Sequence, residues 1–238
     1  MRNKILLLIN LFLVADINIT AQVTSNFTDT RNRQVYKKVL IGKQTWMAEN
    51  LNASTFRNGD VIPQAKDQNE WNQAGIDEKP AWCYYNNDSL LSKKYGRLYN
   101  WFAVADPRGL APQGFHVPTR QEWHLLDMKL TTVPFVTIAG ENNAGEKMKT
   151  KTGWNNSGNG TNSSGFTAIP CGARSTDGFE NLGESSCWWG ASQSGYANDD
   201  EQRVDYKGDG AFIFHTATNL YLTSMPKEFG FSIRCIKD

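Results

Sequence analysis

The side chains best suited to chemistry in this sequence are three tryptophans and two asparagines. Trp154 stands in the polar run KTGWNNSGNGTNSSG with Asn155 and Asn156 beside it, and Trp188 and Trp189 form a pair in SCWWGASQSG. An indole face stacks on the apolar face of a sugar ring while neighbouring amides bond to the hydroxyls. Trp154, Asn155, Asn156, Trp188 and Trp189 are therefore the expected ligand-binding set. The competing expectation is that the same tryptophans fill the core of a domain short of aliphatic residues.

Catalytic and metal chemistry find less support. His116, His124 and His215 are the only histidines, and no two share the i, i+4 spacing of a helical metal pair. Ser192 and Ser194 lie in no G-x-S-x-G elbow. Asp199, Asp200 and Glu201 form an acidic run of the kind usually found on solvated loops, which with loop carbonyls can hold Ca²⁺, the one cofactor the sequence suggests. No catalytic residue and no metal ligand is assigned.

The beginning of the chain reads as an export signal. Two positive charges in Met1 to Lys4 precede the apolar run Ile5 to Ala15, which is too short to span a bilayer, and a polar stretch ending in Ala21 follows. The expected division is a signal peptide over residues 1–21, a flexible polar lead-in over 22–34 and one domain over 35–238. The mature part has no further apolar stretch of membrane length. An even count of cysteines in an exported chain favours disulfides, and Cys83, Cys171, Cys187 and Cys235 allow three pairings that spacing does not choose between. With 25 basic against 24 acidic side chains there is no electrostatic pull toward nucleic acid.

These residues need elements to position them. Val35 to Ile41 and Gln44 to Met47 flank Gly42-Lys43, which predicts a hairpin with a type II′ turn. A short helix is expected at Gln68 to Gly75. Leu98, Trp101, Phe102 and Ala105 share one helical face, ended by Asp106-Pro107 and Gly109. A second helix is announced in full: Thr119 and Glu122 form a capping box, and Trp123, Leu126 and Leu130 repeat at core spacing. Residues 151–165 are too polar to pack. Short strands are expected in GFTAIPCGAR, SCWWGASQSG, GAFIFHTA and FGFSIRCIKD, the last with one face in a core. The pattern is α+β.

Four phrases, VLIGKQTWMAENLN, YGRLYNWFAVADPRGLAPQGFHVPTRQEW, NSSGFTAIPCGAR and GFSIRCIKD, closely resemble, in the same order, the Fibrobacter succinogenes major paralogous domain. That family is found on exported proteins of Fibrobacter and Bacteroidetes. VPTRQEW and GFSIRC are also similar to segments of the formylglycine-generating-enzyme fold, a variant of the C-type lectin fold. The resemblance implies a C-type-lectin-like architecture, a twisted, mostly antiparallel sheet with two helices and long loops. Many relatives carry a cysteine where this chain has Ala111, and glycine and tyrosine where it has Cys171 and Cys187. This departure implies that Cys171 and Cys187 were gained together and pair, leaving Cys83 for Cys235. Formylglycine generation requires two close cysteines near the C-terminus, whereas Cys187 and Cys235 are far apart in sequence. The implied role is a secreted or cell-surface, non-catalytic binding module for a glycan or a surface protein. The alternatives are a purely structural or adhesive surface module, or a formylglycine-generating-enzyme-like enzyme.

Overall fold

Gly42 turns the first hairpin at φ 64° while Lys43 stays outside the left-handed region, as a type II′ turn requires. The computed structural model describes residues 23–131, 143–198 and 203–238. The expected signal peptide and the acidic run Asp199, Asp200 and Glu201 lie outside the described residues. Strands β1 (Val23–Thr28), β2 (Val35–Ile41) and β3 (Gln44–Met47) form an antiparallel ladder. Within the expected lead-in, Val23–Thr28 takes strand conformation. Ladder bonds are made by the backbone whatever the side chains, and two anchors hold the strand end. Arg31 pairs with buried Asp29 at 2.7 Å and donates to the carbonyls of Thr55 and Leu110, both at 2.8 Å. Phe27 stacks on Phe115 at 4.2 Å.

The helices start where capping chemistry allows. In α1 (Gln68–Ile76), Asp67 accepts from the amide of Glu70, and buried Trp71 anchors the helix. The helix expected from Leu98 is shorter. Leu98 and Tyr99 instead pair with β4 (Trp82–Cys83) as β5, and after the single-turn α2 (Ser92–Tyr95) and this strand, Asn100 caps α3 (Trp101–Ala105). Strand β6 (Phe115–His116) leads into α4 (Arg120–Leu130), whose capping box is complete: Thr119 Oγ1 accepts from the Glu122 amide at 3.3 Å and Glu122 Oε2 accepts from the Thr119 amide at 2.8 Å. Trp123, Leu126 and Leu130 are buried as the spacing predicts. Helix α5 (Ala144–Met148) follows. Among the described residues no helix is long and apolar enough to cross a membrane.

A second sheet takes up the rest of the chain. It contains β7 (Cys171–Arg174), β8 (Phe179–Leu182), β9 (Ser185–Asn198), β10 (Arg203–Phe214) and β11 (Tyr221–Met225) in the order β11-β10-β9-β7-β8, with only β7 and β9 parallel. Strand β12 (Ile236–Lys237) returns between β3 and β6 to complete the first sheet, β1-β2-β3-β12-β6. The architecture is α+β with mostly antiparallel sheets. The terminal segment departs from the one-faced strand its alternation predicts, because Phe231 to Ile236 is buried on both sides. It threads between the sheets, bridging Tyr99 through Phe231 and Trp188 through Ser232.

Arg234 fixes that passage. It is 1% exposed and donates to Asn50 Oδ1 at 2.7 Å and to the carbonyls of Met47, Phe166 and Thr167 at 3.1, 2.6 and 3.0 Å. No carboxylate is among these partners, and burial pushes its pKa down to about 9. The rigid guanidinium fork serves acceptors from two separate segments, 47–50 and 166–167, at once, which a point-charge ammonium would not do.

Candidate ligand cleft

The cleft is built by strand register. Phe212 of β10 pairs with Cys187 on one side and Tyr221 on the other, Ala173 pairs with Glu180, and the parallel pair Gly172–Ser186 sets Ala173 level with Cys187. Side chains in one such row leave the same face of a sheet. Two residues along β10, Phe214 pairs with Ser185 on that face. In the other direction comes Gly210, where a side chain would collide with the Phe212 ring at 2.9 Å, so the ring lies over bare backbone. Phe231 closes the wall, edge-on to Phe212 at 5.2 Å and to Phe229 at 6.1 Å.

The result is an aromatic cleft of about 350 Å³. Its mouth carries Phe214 and Tyr221, 37% and 41% exposed and in edge contact at 5.7 Å. Glu180, Asn181, Ser185 and Thr223 supply polar groups. Cys187 lies at the base, and burial pushes its thiol up to about 12, so it stays neutral at physiological pH and acts as a soft apolar contact. This volume lies within the usual range of ligand sites, with apolar walls for affinity and a few polar groups for orientation.

The ligand-binding set expected from sequence does not assemble. Trp188 and Trp189 are both 0% exposed, and as neighbours on one strand they enter opposite cores. Trp188 packs on Phe166 and Trp123 and donates to Asn50 Oδ1 at 3.0 Å, while Trp189 packs on Phe231 at 4.3 Å. Trp154 is 5% exposed and its indole N–H donates to Thr150 Oγ1 and the Ala168 carbonyl, each at 3.2 Å. None leaves a face for a ligand. Asn155 and Asn156 are exposed, with Asn156 in the left-handed region at φ 49°. The expectation that residues 151–165 do not pack fails for a physical reason. Asparagines satisfy the loop's own backbone, Asn159 Oδ1 accepting from the Trp154 amide at 3.0 Å and Asn162 Oδ1 from the Thr167 amide at 2.9 Å, and this folds Trp154 inward.

The expected disulfides are likewise corrected: Cys83, Cys171, Cys187 and Cys235 are buried free thiols. Cys83 and Cys235 sit in different core clusters, and Cys171 Sγ lies 3.4 Å from Ser232 Oγ. Burial pushes Cys83 up to about 11 and Cys235 up to about 12. His116 bridges two carboxylates, its Nδ1 2.7 Å from Asp238 Oδ1 and its Nε2 2.8 Å from Glu122 Oε1. Among the described residues no group of three or more His, Cys, Asp or Glu side chains could hold a metal ion. Phe212, Phe214 and Tyr221 are what sequence reading missed. The signal was present in the same-face alternation of Phe212 and Phe214 within GAFIFHTA.

An α+β domain with mostly antiparallel sheets that carries an aromatic cleft is the class that fold and geometry define. Residues 39–237 match the family model of the Fibrobacter succinogenes major domain, and the chain belongs to that family. No curated protein and no solved structure matches the chain.

Proposed function

We propose that the chain is a secreted or cell-surface binding module without catalysis, and that the aromatic cleft seats an apolar side chain presented by a surface protein. The observation that carries this reading is the pair of exposed aromatic rings, Phe214 and Tyr221, at the mouth of an apolar cavity. Aromatic groups around a desolvated pocket are typical binding hot spots. A sugar inside this cleft would leave hydroxyls unpaired against phenyl rings, which is costly, whereas an apolar side chain leaves nothing unpaired. Export is supported by the charged and apolar start of the sequence. A C-type-lectin-like relationship is supported by the capped α4 directly after β6 and by the return of β12 between β3 and β6.

Selection of random displayed peptides against the full mature chain tests the reading. Enriched peptides should share an aromatic or large aliphatic anchor, and Phe214→Asp and Tyr221→Ser should abolish their binding without changing the melting temperature. Failure to enrich any peptide, or equal binding by both variants, would favour a purely structural module.

A further inference from the structure

The second sheet contains a break in register that the aromatic cleft does not use. On β9, Gly190, Ala191 and Ser192 stand opposite the single residue Asp209 of β10, between the pairs Trp189–Gly210 and Gln193–Gly208. Bulges of this kind bend a strand and re-aim side chains, and they recur beside functional sites. Three bonds hold this one in place: Trp101 Nε1 to the Gly190 carbonyl at 3.0 Å, the Ala191 amide to the Pro118 carbonyl at 2.8 Å, and the Arg120 amide to Ser192 Oγ at 3.0 Å. The first turn of α4 is thereby fixed against the bulge.

Asp209 lies between them, 3% exposed. Its Oδ1 accepts from Ser194 Oγ at 2.8 Å and Ser224 Oγ at 2.6 Å, and Arg120 Nη1 stands 3.6 Å away. Oδ2 carries no partner among the described residues. Oδ2 is left by the two serines to the solvent of the groove, where it can accept from a ligand donor. These groups line an open groove of about 800 Å³ beside α4. Its lining is mainly hydroxyls, amides and charged groups, with Leu220 and Leu222 as the apolar members.

We infer that this groove binds a neutral polyhydroxylated ligand, a saccharide, independently of the aromatic cleft. One hydroxyl of a vicinal diol donates to Asp209 Oδ2 while its neighbour accepts from Arg120. The side-chain amides of Gln121 and Gln193 both donate and accept, and the two leucines take the C–H face of a ring. Because the carboxylate and the guanidinium oppose each other, the groove favours paired donors and acceptors over net charge. Sugar recognition thus falls to residues quite different from the tryptophans that the sequence suggests.

A printed glycan array probed with the labelled mature chain tests the inference. Wild type should be retained on a subset of glycans, Arg120→Ala and Asp209→Asn should lower that signal at least about tenfold, the loss of a hydrogen bond to a charged group, and Phe214→Asp should leave it unchanged. Arg120 has a side chain that is 46% exposed, so its truncation spares the fold. If Asp209→Asn does not fold, Arg120→Ala and Gln121→Ala decide. Absence of any glycan signal from wild type, or undiminished signal from these folded variants, overturns the inference without touching the peptide result at the cleft.

Discussion

Truncation of Trp154 separates a packing role from a ligand-binding one. The ring belongs to the core that contains Trp46, Trp123, Phe166 and Trp188. A tryptophan buries roughly 150–250 Å², which at about 25 cal/mol per Å² corresponds to about 4–6 kcal/mol as an upper estimate. Loss of its indole N–H orphans nothing, because the Ala168 carbonyl still accepts from the Thr150 amide at 2.9 Å and from Thr150 Oγ1 at 3.1 Å. The expected cost of Trp154→Ala is therefore the ordinary core-truncation range, about 3–5 kcal/mol. For a domain of this size that lowers the melting temperature by about 6–20 °C. Circular dichroism melts and urea titrations of wild type, Trp154→Ala and Trp154→Phe provide the assay, with the phenylalanine variant in between. A melting temperature of Trp154→Ala within about 2 °C of wild type would refute the reasoning and return Trp154 to the list of ligand contacts.

Thr119→Ala deletes one half of the capping box and should cost about 0.5–2 kcal/mol in urea titrations; an unchanged midpoint contradicts the observed helix start. His116 should make stability depend on pH near neutrality. Burial lowers its pKa, but the bonds to Asp238 and Glu122 outweigh this and the net shift is upward. The contribution is then fully present below the unfolded value of about 6.5 and is lost as pH rises through the higher folded value. Urea midpoints should fall across that window in wild type but not in His116→Gln, and parallel profiles would contradict the bridge. Thiol titration of unreduced protein in denaturant should find four reactive cysteines, and native protein should resist the reagent; a count of two or none would restore a disulfide.

Legibility followed the locality of the signal. The Gly42 turn, α1 and the Thr119–Glu122 cap are each encoded within a few residues, and all three form as the sequence predicts. Leu98 has helical spacing to Trp101, yet its pairing partner Cys83 lies outside any local window, so a strand replaces the first helical turn. Trp154 misled because a polar neighbourhood in sequence is not a polar environment in space. The cleft was hidden for the same reason. Phe212, Tyr221 and Phe231 meet only through strand order and the passage of the terminal segment between the sheets, neither of which composition reveals.

The most direct test of the proposed role is methyl NMR of protein labelled at its methionines. Met225 lines the cleft, whereas Met148 lies in the other core and Met47 is fully buried. On titration with a peptide selected for an aromatic anchor, the Met225 methyl resonance should shift in a saturable manner while those of Met148 and Met47 stay in place. Saturable binding that leaves Met225 unmoved would place the recognition surface elsewhere and contradict the assignment of the aromatic cleft.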